Sequence, residues 1–260
     1  MSQTTISGSK FAAVFVAATL LFGGAGFAGS LMVPPKWQSD SLIEAPTSAE
    51  LGNYYSLFST YHLVAETKPQ DSVNNSVYVG FRKLAASYDL AKAFWQATEY
   101  YKQKSTDDEQ HDNALLDELT KTIQVSEQNG KTRISLTLDN PKRAYELLGS
   151  YMDYVNNANK RAVYEELILQ WKTLFNQVKT ASEVNLAASG QQNWQGKLAM
   201  MKTVQPLDDK LQSFHFLKKP TVAVQASHDR LTYTAVGAGV GAVLGLILGF
   251  FFGRKRWKHK

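Results

Sequence analysis

Residues 122–141 read TIQVSEQNGKTRISLTLDNP. Ile123 and Val125 alternate with polar residues before Asn129-Gly130, and Ile134, Leu136 and Leu138 do so after it. Apolar side chains at every second position line one face of a strand. Asn-Gly between two such runs is a strong hairpin signal, because the favoured two-residue turn needs positive φ at both central positions. Asp139-Asn140-Pro141 then ends the second strand and opens a helix, with Pro141 at the first helical position, where its missing N–H costs nothing. From there to about Thr180 nothing interrupts a helical pattern. Leu148, Tyr151, Val155, Ala158, Ala162, Trp171, Leu174, Phe175 and Val178 recur mostly at three- to four-residue spacing, with some longer gaps. Forty residues of helix measure about 60 Å, which predicts a coiled or projecting element.

Upstream, Trp37–Glu44 reads as a short strand broken by Pro46. Thr47-Ser48-Ala49-Glu50 has the capping-box pattern, and the helix it predicts carries Leu51, Tyr54, Tyr55, Phe58, Tyr61 and Leu63. After a loop at Thr67–Gln70, helices are predicted near 72–86 and 87–104. Ser87 caps the second, whose core face is Leu90, Ala91, Phe94, Trp95, Tyr100 and Tyr101. Ser105–Asp112 is acidic and contains His111. Such side chains can ligate a metal, but acids at a helix start also offset its dipole, and the second reading is adopted. Helix resumes after Ser189-Gly190 and ends near Pro206, and Phe214–Val224 is extended.

Both ends are apolar. Phe11–Val33 and Leu231–Gly253 are each 23 residues without a charge, where a bilayer core of about 30 Å needs about 20. Pro34-Pro35 stops the first helix, and Lys36-Trp37 supplies an interfacial anchor. A cleaved signal peptide is the rival reading, with Lys10 as its positive region and Gly26-Phe27-Ala28 as its cleavage site. The apolar run continuing past that site favours a retained span. Arg254, Lys255, Arg256, Lys258 and Lys260 follow the second stretch at once and, with Lys10, set both termini on the cytoplasmic side. The expected layout is a cytoplasmic N-terminus over 1–10, a transmembrane helix over 11–33 and an outer, periplasmic domain over 34–230. A second transmembrane helix over 231–253 and a basic cytoplasmic tail over 254–260 complete it. The fold expected is an α+β domain, with a small sheet near the membrane and a long projecting helix, flanked by two transmembrane helices.

Within the second stretch Gly237, Gly241, Gly245, Gly249 and Gly253 recur every four residues. Such a row lets another helix approach closely in a membrane. The partner is open: the first span, with Gly23, Gly24, Ala25, Gly26, Gly29 and Ser30, a sister subunit, or another protein.

The formal net charge of +5 resides in the ends, since residues 34–230 hold 22 Lys and Arg against all 23 Asp and Glu. That middle has no excess charge for a nucleic acid. The absence of cysteine excludes disulfides, thiol catalysis and cysteine-ligated metals. No P-loop, GxGxxG, HExxH or nucleophile elbow is present, and His62, His111, His215, His228 and His259 are scattered. No catalytic residue, cofactor or metal site is expected. A membrane-tethered sensor has the same two-span layout, but seven residues after the second span leave no output domain inside.

Pro35-Lys36-Trp37-Gln38-Ser39 resembles the P-x-K-W-x-S segment of bacterial polysaccharide chain-length determinants. Leu51-Gly52-Asn53-Tyr54-Tyr55 is similar to the start of their first helix. Ile134–Leu138, Asp139-Asn140-Pro141 and Tyr151 with Tyr154-Val155-Asn156 resemble their passage from strand to long helix. Phe214-His215-Phe216-Leu217-Lys218-Lys219-Pro220 is similar to the segment before their second span. The resemblance implies a homo-oligomeric, non-catalytic polysaccharide co-polymerase of the inner membrane. Its implied partners are a glycan polymerase and the growing lipid-linked polysaccharide. Its implied role is to set the chain length of an O-antigen or enterobacterial common antigen type of lipopolysaccharide glycan. The chain departs from the pattern in a short N-terminus, a shorter outer domain and a second span without nearby prolines. With no cytoplasmic kinase domain, it is expected among the lipopolysaccharide-type members.

Overall fold

The structure is a computed structural model that describes residues 8–32, 35–106, 108–184, 193–226 and 230–254, with side chains over 15–30 and 234–247 in the two terminal helices. The chain divides into two units, Trp37–Val224 and the two ends, Met1–Lys36 with Gln225–Lys260.

In the first unit the hairpin forms as predicted. β1 is Trp37–Glu44, β2 Ile123–Gln128, β3 Lys131–Leu138 and β4 His215–Lys218. Asn129 and Gly130 have φ of 54° and 73°, the left-handed pair that the tight turn requires. The strand path is β2-β3-β1-β4, and every pairing along it is antiparallel. Gln128 lies opposite Lys131, Trp37 opposite Leu138, and Glu44 opposite His215. Ile134, Leu136, Leu138 and Ile43 bury one face, but Ser39 and Ser41 on β1 are buried too. Their hydroxyls donate to the carbonyls of Thr221 and Lys218, both at 2.7 Å. Those bonds satisfy the buried hydroxyls and hold the returning chain along β1.

α1 is Gly8–Met32, α2 Asn53–Ala65, α3 Val73–Ala85, α4 Tyr88–Ala97, α5 Glu99–Lys102, α6 Glu109–Lys121, α7 Pro141–Glu183, α8 Trp194–Lys202 and α9 Arg230–Arg254. α7 runs 43 residues, about 64 Å. Asn140 starts it, its Oδ1 accepting from the backbone N–H groups of Lys142 and Arg143 at 3.0 and 3.1 Å. Its first half packs Ala144, Leu148, Tyr151, Met152 and Val155 into the main core with Phe81, Trp95 and Phe214. Its second half packs Leu167 against α2 and α3, and Val178 against Val64 and Met201.

Three expectations are corrected. The capping box starts only a 3₁₀ turn, Ser48–Leu51, in which Glu50 Oε2 accepts from the Thr47 N–H at 2.8 Å. Gly52, at φ 57°, then breaks the path because Asp208 lies against it: a Cβ there would meet Asp208 Oδ1 at 2.5 Å. The helix expected over 87–104 splits at Thr98, whose backbone turns extended and whose hydroxyl accepts from the Tyr101 N–H at 3.2 Å. On α7, Ala162 is exposed, while Asn156 and Asn159 take buried places. The Asn159 amide donates to the Val77 carbonyl at 3.0 Å and to Ser213 Oγ at 2.9 Å. Asn156 Oδ1 accepts from the Ser213 N–H at 2.8 Å. Gly80 leaves the room this needs, since a Cβ there would stand 2.6 Å from Asn159 Oδ1.

The acidic segment behaves as a helix start. Asp108 Oδ1 accepts from the backbone N–H groups of Gln110 and His111 at 3.0 and 3.4 Å, capping α6. Asp107 lies outside the described residues. No metal-holding group of His, Asp and Glu occurs among the described residues.

Candidate helix-pairing site

In the unit formed by the chain ends, α1 and α9 pack along one another. Three glycines of the four-residue row sit on that contact. A Cβ at Gly237 would lie 2.5 Å from the Phe22 carbonyl oxygen and 3.1 Å from Gly26 Cα. One at Gly241 would lie 2.7 Å from the Ala18 oxygen, and one at Gly245 3.1 Å from Phe15 Cα. These neighbours are mostly backbone, which cannot swing aside, so only a residue without a side chain permits the spacing. From the other side, a Cβ on Gly23 would meet the Ala238 Cβ at 3.5 Å, an ordinary contact. Gly239 and Gly24 have open space around them.

Outward from the contact, Leu20, Leu21, Phe27, Val236, Val240 and Val243 are exposed. Polar groups turn inward: Thr19 Oγ1 donates to the Phe15 carbonyl at 2.9 Å, and Ser30 Oγ to that of Phe27 at 2.6 Å. Among the described residues no helix is long and apolar enough to cross a membrane. Of the other predicted positions, the surroundings of Gly249 and Gly253 and the side chains of Lys10 and Arg254 lie outside what the structure describes, as do Lys255, Arg256, Lys258 and Lys260 entirely.

The domain adds a titratable pair that spacing along the chain does not reveal. His215 Nδ1 lies 2.8 Å from Glu50 Oε1, joining the turn after β1 to the start of β4. The backbone repeats the join, with the Gln212 N–H donating to the Glu50 carbonyl at 2.7 Å. Burial pushes the Glu50 carboxyl up, but the bonds from Thr47 and His215 bring it below its usual value. The hydrogen bond and charge of Glu50 raise the His215 imidazole, with Glu44 adding to the effect. A raised histidine contributes stability that is present below its unfolded pKa and lost as pH rises through the folded one. The melting temperature of the full chain is therefore expected to fall as pH rises above about 6.5, the ordinary histidine value. His215→Gln should flatten that slope, and a slope unchanged by the substitution would assign it to other groups.

An open depression of about 300 Å³ is lined by Ser87, Tyr88, Ala91, Lys121, Val125 and Tyr151, among others. The Tyr151 hydroxyl donates to the Ala85 carbonyl at 2.7 Å, and Ser87 Oγ accepts from the Leu90 N–H at 3.4 Å, capping α4.

No family model matches the chain. In sequence it is 28% identical over 169 residues to the ECA polysaccharide chain length modulation protein of Salmonella typhimurium, covering 62% of this chain and 49% of that protein. The protein of the same name from Escherichia coli is 27% identical over 171 residues, with the same coverage. The chain thus spans about half the length of the curated relatives it matches. Among solved structures, a full-length bacterial polysaccharide co-polymerase matches with a TM-score of 0.60 at 12% identity, over 95% of this chain and 96% of that one. A fragment of WzzB, polysaccharide co-polymerase from Salmonella Typhimurium, matches with a TM-score of 0.53 at 15% identity, over 74% and 99%. At such identities the likeness is one of fold, and both the long helix and the small antiparallel sheet belong to it.

Proposed function

We propose that this chain, which has the fold of bacterial polysaccharide co-polymerases, is an inner-membrane protein that regulates the chain length of a lipopolysaccharide-type surface glycan. It acts as a homo-oligomeric, non-catalytic scaffold beside the glycan polymerase. The observation that carries the reading is the match to a full-length co-polymerase over 95% of the chain, both terminal helices included. The names of the sequence relatives support the same role. In this reading residues 11–33 and 231–253 cross the membrane, 34–230 stand in the periplasm, and the basic residues flanking the spans keep both termini in the cytoplasm. The outward apolar side chains of α1 and α9 would face lipid, and the Gly237–Gly245 contact would pair the two spans. Length control needs no cofactor or bound metal here, because it follows from assembly geometry and from contact with the polymerase and the growing lipid-linked chain.

Deleting the gene in its host and resolving the surface polysaccharides by gel electrophoresis tests this. Loss of a modal length, restored by the intact chain, is expected. A ladder identical to that of the parent strain would reject the proposal.

A further inference from the structure

We infer that neighbouring copies of this chain join edge to edge through their sheets, β2 of one copy pairing with β4 of the next. This rests on the homo-oligomeric, two-span reading above. β2 and β4 end the strand path, so each has one strand neighbour among the described residues. All three pairings between them are antiparallel. β2 and β1 therefore run one way, β3 and β4 the other, and the two edges run in opposite directions. Copies held in a membrane by the same two spans share one orientation. A second copy in the same orientation, set beside the sheet, brings its β4 next to β2 of its neighbour in an antiparallel seam. The alternation then continues unbroken from copy to copy. An odd number of strands on the path would have forced a parallel seam.

The edges carry the chemistry for it. Exposed edge strands are normally blunted by lysine, proline or a bulge. β2, Ile-Gln-Val-Ser-Glu-Gln, has none of these, and its register with β3 is continuous. The β4 edge is the guarded one, ending in Lys218 before Lys219-Pro220 and shifting register against β1 between Leu42 and Ile43. Along the opposite edge, Leu217, Val222 and Val224 are exposed apolar side chains at 40%, 73% and 68%. The signs are compatible: Glu127 is the charged residue of β2, while Lys218 and Lys219 lie at the end of β4. Glu127 pairs with Arg82 and Lys218 with Asp40 in the same copy, so the seam buries no unpaired charge of either strand. Such a contact is head-to-tail, and it closes into a ring if the rotation allows.

The chain contains no cysteine, so introduced thiols report alone. Directly opposed residues across an antiparallel pair stand about 4.5–5.5 Å apart at Cβ, close to disulfide reach. Two differently tagged full-length chains, one Ser126→Cys and one Leu217→Cys, are co-expressed and oxidised in membranes. The expected result is a mixed dimer carrying both tags, with neither chain forming one alone. A Ser126–Ser126 dimer would overturn the seam in favour of a two-fold contact. Oligomers captured by an amine cross-linker, with no disulfide at positions 124–128 against 215–218, would overturn the seam and leave the homo-oligomer standing. Absence of any oligomer would overturn both.

Discussion

Gly241→Leu is expected to part α1 from α9 and to shift the modal length of the surface glycan. A Cβ at this position would lie 2.7 Å from the Ala18 carbonyl oxygen, 2.8 Å from Phe22 Cβ and 3.1 Å from Thr19 Cα. Two of those atoms are helix backbone, so a leucine is accommodated only by moving one helix. Overpacking of this kind costs about 1–3 kcal/mol, against a pairing that dispersion and close backbone approach supply in lipid. Gly239→Leu is the control, because nothing lies within 4 Å of a Cβ there. The helix contact itself can be read with a Gly23→Cys, Ala238→Cys pair, whose Cβ atoms would stand 3.5 Å apart. That spacing suits a disulfide, which forms at about 3.5–4.5 Å. Oxidation should close it in the parent chain and beside Gly239→Leu, and should fail beside Gly241→Leu. If the leucine leaves both the disulfide and the glycan ladder unchanged, the glycine row is not the working contact.

How far the fold was legible depended on how far each residue's partner lies along the chain. The hairpin and the start of α7 are local events: Asn129-Gly130 sets its own turn, and Asn140-Pro141 caps and primes the helix that follows. Their signals were therefore complete in the sequence. The breaks at Gly52 and Thr98 were not, because Gly52 answers to Asp208, about 150 residues away, and Thr98 reads equally well inside a helix. The buried polar residues were the least visible. Ser39, Ser41, Asn156 and Asn159 look like surface positions until Thr221, Lys218, Ser213 and Val77 arrive as partners. The period of the glycines is plain in the sequence, whereas the helix that meets three of them is a product of tertiary packing. His215 and Glu50 likewise meet only when β4 returns beside β1.

That returning segment is where the largest loss of stability is expected. Phe214→Ala should lower the melting temperature of the full chain in detergent by about 6–20 °C. Phe214 is fully buried, its ring centroid 4.6 Å from that of Phe81 and 4.9 Å from that of Phe216. Truncating a buried phenylalanine costs about 3–5 kcal/mol, and a domain of this size loses about 2–4 °C per kcal/mol. The site cannot collapse to fill the space, because Ser213 beside it is fixed by Asn156 and Asn159 and His215 on the other side by Glu50. Leu63→Ala, at 64% exposure, gives the baseline and should cost less than about 0.5 kcal/mol. A fall no larger than that baseline would mean the ring does not anchor the segment. The position matters beyond stability, since Phe214, with Phe216 and Ala223, is among the last main-core residues before the chain runs on to α9. A ring locked between α3 and β4 holds that part of the chain in register with β1, so loosening it should also blunt glycan length control.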